Sequence, residues 1–391
     1  MRAGWDLGWR PVVTWDEGRL CSGLVAGCWL VVGGWWLVVG GWLLVVFWFG
    51  GVVVEVSLLC GSVGGVVGEG GVSVVGGRAS LELVHRVRVE DAFAVSWVRT
   101  GGERFSVVAR WPREHVFFGP VVGGRFDPLL VAETVRQSVM LVLHAGYGVP
   151  RADAFLLGRL RLSCVPGGLG VEGVPAEVGV PAGVGVGAEV GVRVVCPDPA
   201  RFRRSARLRA TLAVCRAGVV VATGAVDFQV VGPAVYRRLR GVRTALCSSE
   251  PGVPAISAVR AGRVRAGDVL LSATGQRCRW RLRADTRHPV LFQSPKDHVP
   301  GMLLLEAARQ AAHAALVPGS FVPWRMDVSF HRYAEFDGVC WIGARAVRLG
   351  AGGAVVRVTG EQEGRPVFSA TLHGREGGAR PVCGGPGAAG R

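Results

Sequence analysis

The stretches DPLLVAETVRQ at 127–137 and PGMLLLEAARQ at 300–310 decide the fold, because they are two copies of one segment. They lie 173 positions apart, and His115 recurs as His288 at the same offset. Three polar residues of the two stretches also recur: Glu133, Arg136 and Gln137 as Glu306, Arg309 and Gln310. Polar residues kept in register within apolar surroundings indicate an internal duplication. We therefore expect two copies of one structural unit.

Each copy predicts one long helix. In the first copy Asp127 is suited to the N-cap and Pro128 to the first helical position. The apolar run continues to Ala145, and Gly146 with Pro150 ends it. Apolar side chains occur all round this helix, which predicts burial on nearly every side.

The second copy predicts a helix from Gly301 to about Leu316. Strand-like segments flank both helices, recognised by alternation and by β-branched residues. In the first copy they lie at 93–97, 104–111, 157–164, 190–195, 208–215 and 219–231. In the second copy they lie at 280–284, 326–330, 339–347, 354–360 and 366–373. The sequence thus predicts an α+β fold in which a long buried helix is wrapped by an antiparallel sheet, twice.

Composition shifts divide the chain into segments. Two units are expected, at 79–240 and 281–375, joined by a linker at 241–280. A Gly/Val/Pro/Ala-rich insertion at 165–189 is expected to be a long flexible loop within the first unit. The remaining segments are a low-complexity leader at 1–78 and a tail at 376–391 that is expected to be disordered.

The leader contains an uncharged apolar run, and residues 27–54 use only Gly, Val, Trp, Leu, Cys and Phe. About 20 apolar residues suffice to cross a bilayer, so a membrane anchor is one interpretation. All six residue types have codons written with G and T alone, so a mis-set start codon is another. The many glycines oppose a stable helix. We favour the mis-set start over an anchor or a disordered leader, and expect no membrane partner.

The formal net charge of +16 points to acidic partners. Arginine supplies nearly all of it, since Lys296 is the single lysine of the chain. No helix-turn-helix, zinc-finger spacing or RNA-binding motif is evident, so nucleic acid is not expected. The ten cysteines form no C-x-x-C pair and no cluster with histidine. This predicts neither a metal nor a disulfide framework, and favours a reducing, cytoplasmic setting.

The polar residues of each helix are spaced for one face. Glu, Arg and Gln at positions i, i+3 and i+4 point the same way, and His313 extends this stripe in the second helix. Burying such charges costs several kcal/mol unless they are paired or used. The alternative is an intrahelical ion pair with glutamine as filler. The same stripe of glutamate, arginine and glutamine occurs in both helices, which favours a functional site over this alternative. One of the two copies need not be active.

His115 and His288 each begin a Gly/Pro-rich loop that leads into a helix. Amides at a helix start, here near Gly301, polarise a carbonyl group. His298 is a weaker candidate, because Arg125 stands at its counterpart position. The remaining histidines of the two units outside the helix stripe are interpreted as surface or packing residues: His85, His144, His331 and His373.

The second copy, H-x11-P-G-M-L-L-L-E-A-x-x-Q from His288 to Gln310, resembles the hot-dog β-hydroxyacyl-carrier-protein dehydratases. Those enzymes place a loop histidine and a helix carboxylate across an acyl-thioester tunnel. The duplicated form resembles more closely the A-factor synthase family of γ-butyrolactone biosynthesis enzymes, through residues 111–137, 233–241 and 285–312. This resemblance covers roughly residues 81–375. It implies a tandem double hot-dog whose two halves form an internal pseudo-dimer with sites at their interface.

The resemblance implies transfer of a β-ketoacyl group from an acyl carrier protein thioester to the hydroxyl of dihydroxyacetone phosphate, without a cofactor. The residues suit that task. In each copy a carboxylate is expected to act as the base if the apolar helix raises its pKa, an arginine to hold the phosphate or the oxyanion, and a histidine to orient the thioester. A glutamine and a helix-start amide are expected to contact substrate. These residues are Glu133, Arg136, His115 and Gln137 in the first copy, and Glu306, Arg309, His288, Gln310 and Gly301 in the second.

Two other functions remain open at this point. A dehydratase or thioesterase would use the same histidine and carboxylate, and a non-catalytic regulator would bind an acyl chain or a lactone without turnover. The arginine one turn after each glutamate favours the transferase, because a phosphorylated acceptor needs a cation and a simple dehydratase does not.

Overall fold

The fold was obtained as a computed structural model, which describes residues 73–377 with gaps at 120–123, 171–187, 202–205 and 245–252. It also describes four strands before residue 73. These are β1 (Gly34–Val39), β2 (Trp42–Phe49), β3 (Val52–Leu58) and β4 (Gly65–Val67). Successive members of this group pair antiparallel, and β4 continues to β5 (Ser73–Arg78).

The first unit contains one long helix and six strands. Its helix is α1 (Pro128–Leu141), followed by a π-helical turn at Val142–Gly146. Its strands are β6 (Ala94–Gly101), β7 (Arg104–Trp111), β8 (Ala154–Cys164), β9 (Ala188–Val195), β10 (Leu208–Arg216) and β11 (Val219–Val231). A short helix, α2 (Pro233–Arg240), follows β11 at the end of the unit.

The second unit repeats this order. Its helix is α3 (Gly301–Ala315). Its strands are β12 (Leu271–Ala273), β13 (Arg279–Leu282), β14 (Ser320–Phe330), β15 (Cys340–Arg348), β16 (Gly353–Gln362) and β17 (Arg365–Gly377). The predicted α+β fold is confirmed, because each unit has one long helix and an antiparallel sheet.

The two sheets join into one. In the first unit the neighbours run β6, β7, β9, β10, β11, β8, and in the second they run β12, β13, β15, β16, β17, β14. The edge strands β8 and β14 pair antiparallel, with Val328 opposite Leu160. A bidentate ion pair from Arg159 to Asp327, at 2.7 and 2.6 Å, reinforces this seam. The strand order is therefore that of a pseudo-dimer made from a single chain.

Both long helices are buried against this sheet, as the apolar pattern predicts. Every residue of α1 is buried except Arg136. Asp127 caps α1, since its Oδ1 accepts from the backbone N–H of Leu129 at 2.8 Å, and Pro128 begins the helix. Gly146 ends the π-helical turn close to Phe105, where a Cβ would lie 2.7 Å from the ring. A side chain at that position would clash with the Phe105 ring, so glycine allows the turn to pack this closely against β7.

The structure moves one predicted boundary. The linker expected at 241–280 contains β12 and the start of β13. Strand β12 pairs with β13, and β13 pairs with β15. The second unit therefore begins before residue 271, and the linker prediction was too long. The insertion expected at 165–189 lies outside the described residues from 171 to 187, as does the tail from 378 onward.

The apolar leader contains strands. Strands β1 to β3 fall within or beside residues 27–54. Among the described residues, no helix combines the length and the apolar character needed to cross a membrane. The mis-set start codon stays a prediction, since it concerns the gene rather than the fold.

Candidate active sites at the internal interface

The first candidate site is built around a buried carboxylate on α1. Both guanidinium groups of Arg86 and Arg136 bind Glu133: Arg86 Nε donates to Oε1 at 3.0 Å, and Arg136 Nε donates to Oε2 at 2.9 Å. Gln137 Nε2 donates to Oε1 at 2.7 Å. Glu133 is thus held by two cations and an amide. We call this group the first pocket.

The second candidate site repeats this clamp on α3. Arg263 Nε donates to Oε1 of Glu306 at 2.7 Å, and Arg309 Nε donates to Oε2 at 2.8 Å. Gln310 Nε2 donates to Oε1 at 2.5 Å. We call this group the second pocket. The predicted stripe of three residues is therefore real in both copies, and each carboxylate has a second arginine besides.

The pKa values of the two carboxylates are shifted in the direction opposite to the prediction. Burial alone would raise the pKa of Glu133 and of Glu306, but the two adjacent arginines in each pocket outweigh it and lower both pKa values to about 2. Each carboxylate is therefore ionised at neutral pH and its lone pairs are occupied. The expectation of a raised pKa was wrong, because it considered the apolar helix and not the second arginine.

The second arginine of each pocket, Arg86 or Arg263, belongs to a further repeat. The offset of 173 positions does not reveal it. The segment HRVRVED at 85–91 lies over GRVRAGD at 262–268, 177 positions on rather than 173. Four residues more separate Asp91 from His115 than separate Asp268 from His288. A search that allowed one gap would have found the pair, since R-V-R followed three residues later by Asp occurs in both.

Each clamp arginine also crosses the interface between the units. Arg86 Nη1 donates to the carbonyl of Val290 at 3.0 Å, and Arg263 Nη1 donates to the carbonyl of Phe117 at 2.7 Å. The two acceptors are equivalent, because each lies two residues after a loop histidine at the 173-residue offset. Both pockets are therefore closed by the histidine loop of the opposite unit, as the pseudo-dimer implies.

The loop histidines hold these loops. His115 Nδ1 accepts from the amides of Phe117 and Phe118 at 3.1 and 3.0 Å, so its proton is on Nε2, which lies 3.0 Å from Asp91 Oδ1. His288 repeats the arrangement with two loop amides and with Asp268 at 3.3 Å. Both ring nitrogens of each histidine are thus engaged with protein groups. This geometry gives His115 and His288 a positioning role rather than contact with a thioester.

The glutamines fix each helix to its sheet. Gln137 Oε1 accepts from the amide of Phe93 at 2.7 Å, and its Nε2 donates to the carbonyl of Asp91. Gln310 likewise bonds the amide of Leu270 and the carbonyl of Asp268. Their amide groups are occupied by backbone and by glutamate, so these residues position the clamp.

The two pockets differ in access. The side chain of Arg136 is 25% exposed, whereas that of Arg309 is 4% exposed. Arg136 donates through Nε and Nη2 to Glu133 and through Nη2 to the carbonyl of Val84. Its Nη1 has no acceptor in the part of the chain that the structure describes. The first pocket thus offers a guanidinium edge to a ligand, and the second is closed.

The helix starts at the two pockets also differ. Asp127, at the start of α1, lies in the second pocket, with its Oδ2 3.9 Å from Arg263 Nη1. Burial raises the pKa of this carboxyl group. By the internal symmetry the start of α3 lies at the first pocket, and there Pro300 provides no side-chain cap and Gly301 replaces Pro128. The amide of Met302 in α3 therefore lacks the side-chain cap that Asp127 gives to its counterpart Leu129 in α1.

A lysine completes the charge difference. Lys296 lies on the loop between His288 and α3, which covers Arg86. Burial lowers the pKa of Lys296, and the nearby charges of Arg136 and Arg86 lower it further. The counterpart of position 296 in the first unit is Gly123. The first pocket thus combines three cations with one carboxylate, whereas the second combines two cations with the carboxyl groups of Glu306 and Asp127.

Two hot-dog units in one chain, with paired buried carboxylate clamps at their interface, define a double hot-dog protein. Residues 78–232 and 249–375 match the family model of the A-factor biosynthesis hotdog domain. The chain belongs to this family.

Several relatives carry the same name. The chain is 51% identical over 298 residues to a Streptomyces coelicolor protein named 2-oxo-3-(phosphooxy)propyl 3-oxoalkanoate synthase, covering 75% of this chain and 90% of that protein. It is 48% identical to one of that name from Streptomyces griseus over 75% of this chain and 94% of that protein. For the Streptomyces virginiae protein the identity is 42%, over 74% and 95%. Among solved structures, an acyl-ACP thioesterase from Bacteroides thetaiotaomicron covers 70% of this chain and 98% of its own at a TM-score of 0.40 and 10% identity.

Proposed function

We propose that this protein transfers a β-ketoacyl group from a carrier-protein thioester to the hydroxyl group of dihydroxyacetone phosphate. The names of its relatives describe a phosphooxy-propyl ester of a 3-oxoalkanoate, which is the product of that reaction. The observation that carries the proposal is the unequal charge of the two pockets. Only the first pocket has an excess of cations beside a helix start that lacks a side-chain cap, as a phosphorylated acceptor requires.

Arg136 and Lys296 bind the phosphate of the acceptor in this proposal. Arg136 presents Nη1 at the edge of the first pocket while its other nitrogens remain on Glu133. Lys296 approaches the same charges from the opposite unit. This assignment replaces Arg309, which is buried beneath Asp127 and paired with Glu306. A planar guanidinium and a compact ammonium together recognise a phosphate by both geometry and charge.

The amides at the start of α3 stabilise the thioester oxygen as it gains negative charge. Pro300 fixes the entry of the chain and Gly301 adds no side chain beyond its backbone, so a carbonyl group can approach the amides closely. A Cβ at Gly301 would lie 3.2 Å from Leu157 Cδ2. A larger residue there would therefore press on β8 and narrow the approach.

Glu133 serves the site as the anchor of its two arginines. A carboxylate whose pKa is about 2 is a poor proton acceptor at neutral pH. Its bonds to Arg86 and Arg136 hold both guanidinium groups in one orientation. The proton acceptor must therefore be another residue.

The carrier protein docks on α2 in this proposal. Arg237 and Arg238 are exposed on this short helix, where they suit an acidic partner. The inner side of α2 is fixed to the loop that bears Lys296, since Tyr236 Oη donates to Asp297 and Arg240 Nε donates to the same carboxylate at 2.9 Å. A carrier bound there would lie beside the loop that closes the first pocket.

The test is to incubate the purified chain with carrier-bound β-ketoacyl thioester and dihydroxyacetone phosphate, and to identify the product by mass. We expect the phosphorylated ester. Arg136→Met and Lys296→Met should each raise the KM for dihydroxyacetone phosphate by about tenfold to a hundredfold, the value of one charge-assisted contact. Arg345→Met, which removes an exposed arginine of β15, is the matched control. Release of free acid in place of ester would instead identify a thioesterase, and binding without turnover a regulator. A parallel incubation with a β-hydroxyacyl thioester tests the dehydratase, which would release water from it.

A further inference from the structure

His85 has a backbone conformation that histidine rarely adopts. Its φ is 54°, in the left-handed region, and the equivalent residue of the second unit is Gly262 with a φ of 65°. Glycine adopts this region freely, whereas a residue with a side chain pays about 1 kcal/mol there. The turn itself requires only the conformation, since glycine provides it in the second unit. The imidazole of His85 is therefore an addition that the turn does not need, and such strain is common at functional sites.

This turn is part of the first pocket. The residue before His85 accepts a hydrogen bond from Arg136, since Arg136 Nη2 donates to the carbonyl of Val84 at 3.1 Å. The residue after it is Arg86, which clamps Glu133. The imidazole is exposed on one side, and on the other it packs edge-on against Phe155 at a centroid distance of 5.9 Å.

The start of β8 connects His85 to the start of α3. Phe155, which contacts the His85 ring, and Leu157, which lies next to Gly301, are two residues apart on one strand. Alternate residues of a strand share a face and are separated by about 7 Å. The imidazole and the start of α3 therefore lie against neighbouring positions on the same face of β8.

A second histidine orients the ring. His85 Nε2 and His144 Nε2 are 2.8 Å apart, and His144 Nδ1 lies 2.7 Å from the carbonyl of Val149. A carbonyl only accepts, so His144 Nδ1 carries a proton. With both rings neutral, His144 Nε2 accepts from His85 Nε2–H. No group of the described residues donates to His85 Nδ1, which therefore keeps its lone pair. His144 is buried and lies in the π-helical turn after α1, a kind of turn found often at functional sites.

We propose that His85, oriented by His144, accepts the proton of the acceptor hydroxyl group during acyl transfer. This inference rests on the proposed function. The acceptor oxygen attacks the thioester carbonyl carbon while its proton moves to His85 Nδ1, and the carbonyl electrons move to the oxygen held by the α3 amides. When the oxyanion collapses, the carbon–sulfur bond breaks and the proton returns from His85 to the departing thiolate. The products are the ester and the free carrier thiol. His85 is the catalytic residue and His144 a positioning residue.

The surrounding charges make this base dependent on the phosphate. Partial burial lowers the pKa of His85 to about 3, together with the positive charge of Arg136, the His144 ring, and the charges of Lys296 and Arg86. A phosphate bound between Arg136 and Lys296 offsets the charges of these two cations and so raises the pKa of His85, while the contribution of burial remains. A phosphorylated acceptor would thus strengthen the base that activates its own hydroxyl group.

His85→Gly is the decisive variant, because glycine suits the left-handed backbone. We expect its melting temperature to equal or exceed that of the parent chain. Its kcat should fall by about a hundredfold or more, as for loss of a general base, with little change in the KM for dihydroxyacetone phosphate. Imidazole added at 10–100 mM, roughly the range used for such cavities, should restore part of the rate. Activity within about fivefold of the parent, or a loss that imidazole fails to restore, would overturn the proposal.

His144→Phe tests the positioning role. Phenylalanine keeps the ring packing and loses the hydrogen bond. We therefore expect kcat to fall, and the pH at which the rate reaches its alkaline plateau to shift. An unchanged profile with a lower melting temperature would mean that His144 only packs.

A measurement without turnover separates this inference from the proposed function. NMR titration of the His85 ring is performed with and without inorganic phosphate, using Lys296→Met as the control. We expect phosphate to raise the pKa of His85 in the parent chain and to have a smaller effect in the variant. If the ring responds but no ester forms with any thioester, the phosphate-coupled histidine stands and the transferase assignment fails. A ring that does not respond to phosphate refutes the coupling even if ester is formed.

Discussion

Glu306→Gln tests whether the second clamp is structural. The substitution keeps the shape of the side chain and removes its charge. Arg263 and Arg309 then lose the carboxylate that pairs with both, and their side chains are only 8% and 4% exposed. Breaking a buried ion pair by removing one partner costs about 3–5 kcal/mol, because the remaining charge stays in the protein interior.

The size of the effect can be followed in two ways. A loss of about 3–5 kcal/mol lowers the melting temperature by roughly 5–8 °C for a folded region of this size. The free energy of unfolding from urea denaturation should fall by the same amount without a change in slope. Glu361→Gln removes an exposed carboxylate of β16 and should change the free energy by no more than about 0.5 kcal/mol.

The matched substitution in the other unit should cost less. Glu133→Gln also leaves two arginines, but Arg136 is 25% exposed and water solvates part of its charge. A melting temperature of Glu306→Gln within about 2 °C of the parent chain would refute the argument. It would mean that the two arginines of the second pocket find solvent or another anion.

Acid should weaken the fold through the same carboxylates, because the pKa values of Glu133 and Glu306 are about 2 in the folded chain against an ordinary 4.5. The stability that they contribute is complete above pH 4.5 and is lost as the pH falls toward 2. Urea unfolding midpoints measured across this pH range test the prediction. Asp127→Ala should cost about 1 kcal/mol through loss of the helix cap, whereas Asp127→Asn keeps the acceptor, removes a buried charge and should leave the melting temperature equal or higher. Three buried thiols whose pKa values burial raises to about 12 should resist iodoacetamide at pH 8 until the protein unfolds, as peptide mass mapping will show; they are Cys164, Cys196 and Cys340.

The repeat made the fold predictable from the sequence. A helix buried on every side and followed by four alternating segments has few alternatives, and finding it twice implied the pseudo-dimer. The short strands of the second unit were harder. β12 has three residues and forms, with β13, the strand pair that the sequence predicts around Thr274-Gly275. The surrounding stretch is rich in arginine and glycine, so the sequence assigns it to the linker. The position of β12 is determined by Gln310, which bonds the backbone beside it from α3.

The candidate site was predictable only in part. The glutamate, arginine and glutamine of each helix were identified by spacing within one element. The second arginine and the aspartate come from a segment that precedes the first strand, and a four-residue length difference between the copies concealed them. Lys296 and Asp127 reach the opposite unit, and no spacing within one copy predicts such contacts. The role proposed for His85 could not be predicted from the sequence, since neither its backbone angle nor its neighbour His144 can be read from the chain.

The pairing of β8 with β14 inside one polypeptide has a further consequence. In a homodimer, a substitution that improves one cleft alters the other in the same way, because one gene encodes both. Fusion removes this constraint, so that one cleft can specialise while its twin is retained as scaffold. Asp127 opposite Pro300 and Gly123 opposite Lys296 are differences of this kind. We therefore expect one molecule of acceptor to saturate each chain, although the architecture contains two clefts.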